Sequence, residues 1–243
     1  MIAYLTIDDA PSRGWRAKLD ALETFGIRAI LFCAGRALSE RPEFVAPALA
    51  AGHVLGNHAW SHPAFSEIPL DACEREIDRT HRLLVDLHRA AGREFEPRYF
   101  RFPYGDKGAL TGSDTDARPD EAGSARKAAI QQMLRSRGYT QPRFPGVTYR
   151  WYRDQGLLSD GDWYWTYDCH DWSTTARQPQ FGIRTLEDVF ARMDEDVPEG
   201  GRGLHYAGSE DIVLLHDDDA TAELFVPIIQ RLLEIGVEFR LPG

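Results

Sequence analysis

Short apolar runs alternate with helix-length stretches along the whole chain, and that alternation constrains the fold more than any other feature. "IAYLTI" (2–7) precedes a helical pattern from Trp15 to Phe25, and "RAILFC" (28–33) precedes another from Pro42 to Ala51. After "GHVLGN" (52–57), a charged amphipathic helix is expected from Leu70 to Ala91. "RYFRF" (98–102), "DWYWTY" (162–167) and "DIVLLH" (211–216) read as further strands, Thr221 to Ile235 as a helix, and "VEFRL" (237–241) as a closing strand. Strands that alternate with helices imply parallel βα units, hence an α/β fold. The 243 residues suffice for one domain spanning 1–243 with a well-buried core. The exception is about 105–146, which reads as an insertion: a polar loop over 105–123, then a helix from about Ser124 to Arg137.

Charge and composition exclude several classes. A net charge of -10 argues against nucleic acid as a partner, because such a binder carries a basic footprint. Cys33, Cys73 and Cys169 are odd in number and widely spaced, as expected of reduced core thiols rather than a disulfide frame. "MIAYLTI" lacks the basic start and long apolar segment of a signal peptide. No apolar run approaches the ~18 residues that span a bilayer. The expectation is a cytoplasmic protein without a membrane partner.

The residues able to carry chemistry gather just beyond the strands. Asp8 and Asp9 follow the first, His58 and His62 the third, Arg101 and Tyr104 lie around the fourth, Asp171 follows "DWYWTY", and His216 ends "DIVLLH". In a parallel barrel the carboxyl ends of the strands share one face, so these segments would meet in one cleft. Asp8 and Asp9 read either as a solvated strand end or as one metal ligand beside one proton carrier. His58 and His62, four apart, read either as a chance pairing among eight histidines or as two rings on one side of a helical turn that, with Asp9, make an open set for zinc or a similar ion. Arg101 reads either as a surface charge or as the cation that keeps a catalytic carboxylate ionised. His216 reads either as a core histidine or as a catalytic one.

Taken in order, these segments resemble the five motifs of the polysaccharide deacetylase family, carbohydrate esterase family 4. That family includes chitin, chitooligosaccharide, peptidoglycan and xylan deacetylases. "TIDDA" resembles T-F-D-D-G, "HAWSH" H-[ST]-x-x-H, "RFPY" R-x-P-Y, "DW" at 171–172 the fourth motif, and "LLH" at 214–216 L-x-H. The resemblance implies a distorted (β/α) barrel of about seven strands and a metal-dependent hydrolase. It makes Asp8 the base, Asp9, His58 and His62 the ligands of a divalent metal, and Arg101 the partner of Asp8. The metal would be zinc, with cobalt, nickel or manganese as alternatives. The Tyr104 backbone N–H would stabilise the oxyanion, Asp171 would orient His216 as the acid, and Pro103, Trp172 and Leu214 would line the substrate pocket.

Three features depart from the family pattern. Ala10 replaces a glycine and should avoid positive φ. Ala59 removes a hydroxyl that could brace the histidine loop. The stretch after Tyr104 is long, and beside the cleft it could narrow the substrate groove. Tyr149, Trp151, Tyr152, Trp163 and Trp165 read either as stacking surfaces for sugar rings or, at alternate positions, as core. The expected substrate is an N-acetylated sugar or oligosaccharide. The alternatives are O-deacetylation of a xylan-like ester, hydrolysis of a cyclic imide or ureide, or a non-catalytic carbohydrate-binding protein. Oligomeric state is not legible in the sequence.

Overall fold

The computed structural model describes residues 1–109, 120–195, 204, 206 and 208–243. Among them, six strands form one sheet: β1 (Ile2–Ala10), β2 (Ile30–Cys33), β3 (Val54–Asn57), β4 (Tyr167–Asp168), β5 (Asp211–His216) and β6 (Glu238–Phe239). Their order is β3-β2-β1-β5-β4, with β6 paired to the start of β1, and every pairing is parallel. Helices α1 (Trp15–Thr24), α2 (Gly35–Glu40), α3 (Val45–Ala50), α4 (Leu70–Ala90), α5 (Glu121–Ser136), α6 (Arg150–Asp154), α7 (Leu186–Met193) and α8 (Ala222–Glu234) connect them.

The sheet curls into a distorted barrel because two extended segments complete it without forming regular ladders. Asn57 bridges Phe100: its N–H donates to the Tyr99 carbonyl at 2.8 Å, and the Arg101 N–H donates back to the Asn57 carbonyl at 3.0 Å. The Trp163 N–H then reaches the Phe100 carbonyl at 2.8 Å, and the Thr166 N–H reaches Ile212 in β5 at 2.9 Å. The expected fourth strand is therefore a single bridge, and only the last residue of "DWYWTY", Tyr167, joins the sheet, as β4 with Asp168. Pro103 follows directly and starts a 3₁₀ turn, so a longer ladder has no room to form.

Side-chain alternation divides the core in two. Ala3, Leu5 and Ile7 of β1 face outwards into a cluster with Leu22 of α1, Ile77 and Leu84 of α4, and Ile228 and Leu232 of α8. The alternate residues Tyr4 of β1, Ile30 and Phe32 of β2, and Ile212 of β5 face inwards, where Phe144, Tyr149, Tyr152 and Trp163 fill the barrel. Tyr149, Tyr152 and Trp163 are buried at 2%, 0% and 0% exposure, so these three are core and offer no stacking surface to a sugar. Trp165 stays half-buried and stacks on Tyr164, with ring centroids 4.2 Å apart and planes 12° from parallel.

The stretch expected as an insertion shares in this core. Helix α5 packs on α4, and beyond it Tyr139 and Phe144 are buried. Residues 110–119 of the expected 105–123 loop lie outside the described residues. Among the described residues, no helix is long and apolar enough to cross a membrane.

Candidate active site

Tyr4, Thr6 and Asp8 form one inward-facing column on β1, and Asp8 stands at its top. Arg101 is fully buried and reaches this column from the bridging segment. Its Nη1 donates to Thr6 Oγ1 at 2.7 Å and to Asp8 Oδ1 at 2.9 Å, and its guanidinium lies over the Phe32 ring at 4.5 Å. Burial pushes the Asp8 carboxyl above its ordinary value, and the Arg101 charge opposes that rise. A carboxylate so held is a better proton acceptor than one in water. Thr6 was not singled out from the sequence. It relays Arg101 to the Val213 carbonyl at 2.7 Å, and its place two residues before Asp8 on the same strand face was the available signal.

Asp9 leaves the ladder. Its φ of 66° coincides with a register break against β2 between Ile7 and Ala10, and Ala10 itself avoids positive φ, as expected. A left-handed aspartate is tolerable because its short polar side chain finds local partners. Asp9 Oδ1 lies 3.2 Å from His62 Nε2 and 3.7 Å from His58 Nε2, and Asp8 Oδ2 lies 3.6 Å from the same His58 nitrogen.

His58 is buried, and its Nδ1 lies 2.9 Å from the Arg101 carbonyl, which assigns the proton to Nδ1 and leaves Nε2 as a lone pair facing Asp9. Burial, reinforced by His62, lowers its pKa to about 3, so the ring is neutral at working pH. One ligand atom from each of Asp9, His58 and His62 lies within 4.8 Å of the others. Two donors bound at ~2.0–2.2 Å in a tetrahedral site stand about 3.4 Å apart. The 3.2 and 3.7 Å separations at Asp9 fit a divalent ion held by these three residues.

On the neighbouring strand β5, His216 pairs in register with Asp8. Asp171 Oδ1 lies 2.9 Å from His216 Nδ1, and its Oδ2 accepts the His216 backbone N–H at 3.1 Å. Burial alone would lower the His216 pKa. The charge and hydrogen bond of Asp171 outweigh it and push the value up to about 10. The ring is therefore an imidazolium at neutral pH, with Nδ1 held by Asp171. Asp168, Asp171 and His216 form a second group of potential ligands. Its oxygens are already engaged, since Asp168 accepts the His170 N–H at 2.7 Å and the Trp172 indole N–H at 3.2 Å.

The remaining expected residues surround these two groups. Leu214 is buried two residues before His216, Trp172 is half-buried, and Pro103 is buried. Tyr104 has φ 58°, is 69% exposed, and sets its ring against His62 with centroids 4.6 Å apart. The structure thus gathers a buried carboxylate, a trio of potential metal ligands and an imidazolium at one end of a barrel.

The family profile described as polysaccharide deacetylase matches residues 1–141. The chain belongs to the polysaccharide deacetylase family. A peptidoglycan-N-acetylglucosamine deacetylase from Bacillus cereus is 34% identical over 103 residues, 42% of this chain and 36% of that one. A chitooligosaccharide deacetylase from Rhizobium leguminosarum bv. trifolii is 34% identical over 83 residues, 34% of this chain and 39% of that one. The matched stretch thus covers well under half the length of these curated relatives. Among solved structures, a family 4 carbohydrate esterase from Streptomyces lividans superposes with a TM-score of 0.58 at 22% identity, covering 97% of this chain and 90% of the other. A family 4 pseudoenzyme from Bacillus anthracis superposes with a TM-score of 0.61 at 18% identity, covering 98% and 62%. The fold is common to an esterase and a pseudoenzyme, so an argument for activity must come from side chains.

Proposed function

We propose that residues 1–243 form a metal-dependent deacetylase domain that hydrolyses the N-acetyl group of an amino sugar or oligosaccharide. The observation that supports this most is the opposition of two differently tuned groups, Arg101-paired Asp8 and Asp171-paired His216, beside the Asp9–His58–His62 trio. Asp9, His58 and His62 would hold a divalent ion, which would supply Lewis-acid chemistry. Asp8 takes the proton from the attacking water, with Arg101 keeping the carboxylate ionised and aimed. The Tyr104 backbone N–H serves as a fixed donor to the oxyanion. His216 protonates the departing amine, and Asp171 holds its ring in the required tautomer. Trp172, Leu214 and Pro103 form the walls around the acetyl group. The names of the B. cereus and R. leguminosarum relatives favour an N-acetylated glycan as the substrate class.

A mass-spectrometric product screen tests the reading. N-acetylated chitooligosaccharides should lose acetyl groups, whereas acetylated xylooligosaccharides and cyclic ureides should remain unchanged. Chelation should abolish turnover, and zinc or cobalt should restore it. His62→Ala, at a half-buried position, should lose the metal while the protein stays folded. Full activity in metal-free protein would overturn the mechanism.

A further inference from the structure

Both proposed imidazole ligands stand on the turn 58–62, where Ala59 has φ 61° and His62 has φ 58°. Two left-handed residues that carry a Cβ, three positions apart, do not persist without external restraint. The usual hydroxyl next to the first histidine is missing, because Ala59 stands there. Asn57 supplies one restraint, its Oδ1 accepting the Ala59 N–H at 2.9 Å. The backbone N–H groups of Gly35 and Arg36 donate to the Ala59 and Trp60 carbonyls at 2.8 and 2.9 Å. Helix α4 supplies further side-chain restraint. Glu76 Oε2 accepts the backbone N–H groups of Trp60 at 2.9 Å and Ser61 at 2.7 Å, and Oε1 accepts the Ser61 hydroxyl at 2.8 Å. One turn further along α4, the Arg79 guanidinium covers the Trp60 ring at 3.5 Å. A glutamate on an amphipathic helix ordinarily faces solvent. This one places both carboxylate oxygens on the residues between the two histidines, in short charge-assisted bonds.

We infer that Glu76 is a positioning residue that holds the His58–His62 turn so that both imidazoles face Asp9, and that it thereby sets metal affinity. The inference rests on the reading of Asp9, His58 and His62 as metal ligands. Outer partners of this kind are worth about 10–100-fold in metal affinity.

The test is a titration of zinc alone, in competition with a chromophoric chelator, on wild type, Glu76→Ala, Glu76→Gln and Glu74→Ala. Glu76→Ala should weaken zinc binding about 10–100-fold. Glu76→Gln keeps an acceptor oxygen without the charge and should fall between Glu76→Ala and wild type. Glu74 lies on the same helix but faces Arg137 at 2.8 Å, so Glu74→Ala should bind zinc as wild type does. Melting temperatures of the metal-free proteins separate positioning from general stability, since a merely structural role would lower them and leave zinc affinity unchanged. If Glu76→Ala does not fold, Glu76→Gln carries the test. Wild-type affinity in both Glu76 variants would overturn the inference, while absence of zinc binding by wild type would overturn the ligand trio itself.

Discussion

Asp8 stays in the ladder beside β5, while Asp9 turns left-handed and leaves it, so that Asp8 meets Arg101, Asp9 meets His62, and His58 Nε2 lies between the two carboxylates. Strand alternation alone would point neighbouring side chains to opposite faces. The structure separates them by a break in register, and no sequence pattern encodes a positive φ at an aspartate. The grouping of Asp9, His58 and His62 was legible because their residue types and spacing suit a metal. Thr6 and Glu76 were not, since each reads as an ordinary strand or helix residue until the fold supplies its partner. The Asp171–His216 pair yields a prediction at this scale. An acid catalyst must be protonated, so its rate falls as pH rises through the His216 pKa, which stands at about 10 beside Asp171. Asp171→Asn removes the charge that raises it, and the alkaline limb of kcat/KM for an amide substrate should move down towards the ordinary histidine value of about 6.5. The stability contributed by the pair has the same sign. It is complete below about pH 6.5 and lost as pH rises through about 10. An alkaline limb unmoved in Asp171→Asn would remove His216 from the acid role.

Helices were more legible than strands because a periodic apolar stripe needs no distant partner. In α4 the buried residues Cys73, Ile77, Thr80, Leu84 and His88 recur at three- and four-residue spacing, and the helix ends within a residue of its expected limits. Residues 98–102 have the sidedness of a strand, with Phe100 and Phe102 in the outer cluster and Tyr99 in the inner one. Yet only Phe100 bridges, because ladder length depends on a partner that the local sequence does not specify. The stripe of α4 gives a graded expectation. Leu84→Ala, at a fully buried position, should cost about 2–5 kcal/mol in denaturant unfolding. Arg75→Ala breaks an exposed pair with Asp71 and should leave the melting temperature unchanged. Equal losses in the two variants would contradict the assignment of the buried face.

At the scale of the molecule, the chain after Tyr104 does more than decorate the barrel. Lys107 is tied to Asp160 at 2.7 Å and to Asp162 at 2.9 Å, both at 10% or lower side-chain exposure, which fixes the start of the insertion to the segment that re-enters the sheet. Phe144 then enters the barrel, 5.3 Å from Tyr4 and 4.9 Å from Trp163 between ring centroids. The sequence showed a polar loop and a cluster of aromatics but not their destination, because burial of a ring depends on which lumen the topology leaves to fill. A decorative insertion would tolerate loss of Phe144. A lumen plug would not, since Phe→Ala in a packed interior costs about 3–5 kcal/mol. Phe144→Ala should therefore lower unfolding stability in urea by that amount with an unchanged m-value. The Asp9–His58–His62 trio stands at the carboxyl ends of β1 and β3, while Phe144 packs against Tyr4 near the start of β1, so zinc affinity measured below the unfolding transition should match wild type. Wild-type stability in Phe144→Ala would return the insertion to the surface, and a parallel loss of zinc affinity would show that the plug and the site are one cooperative unit.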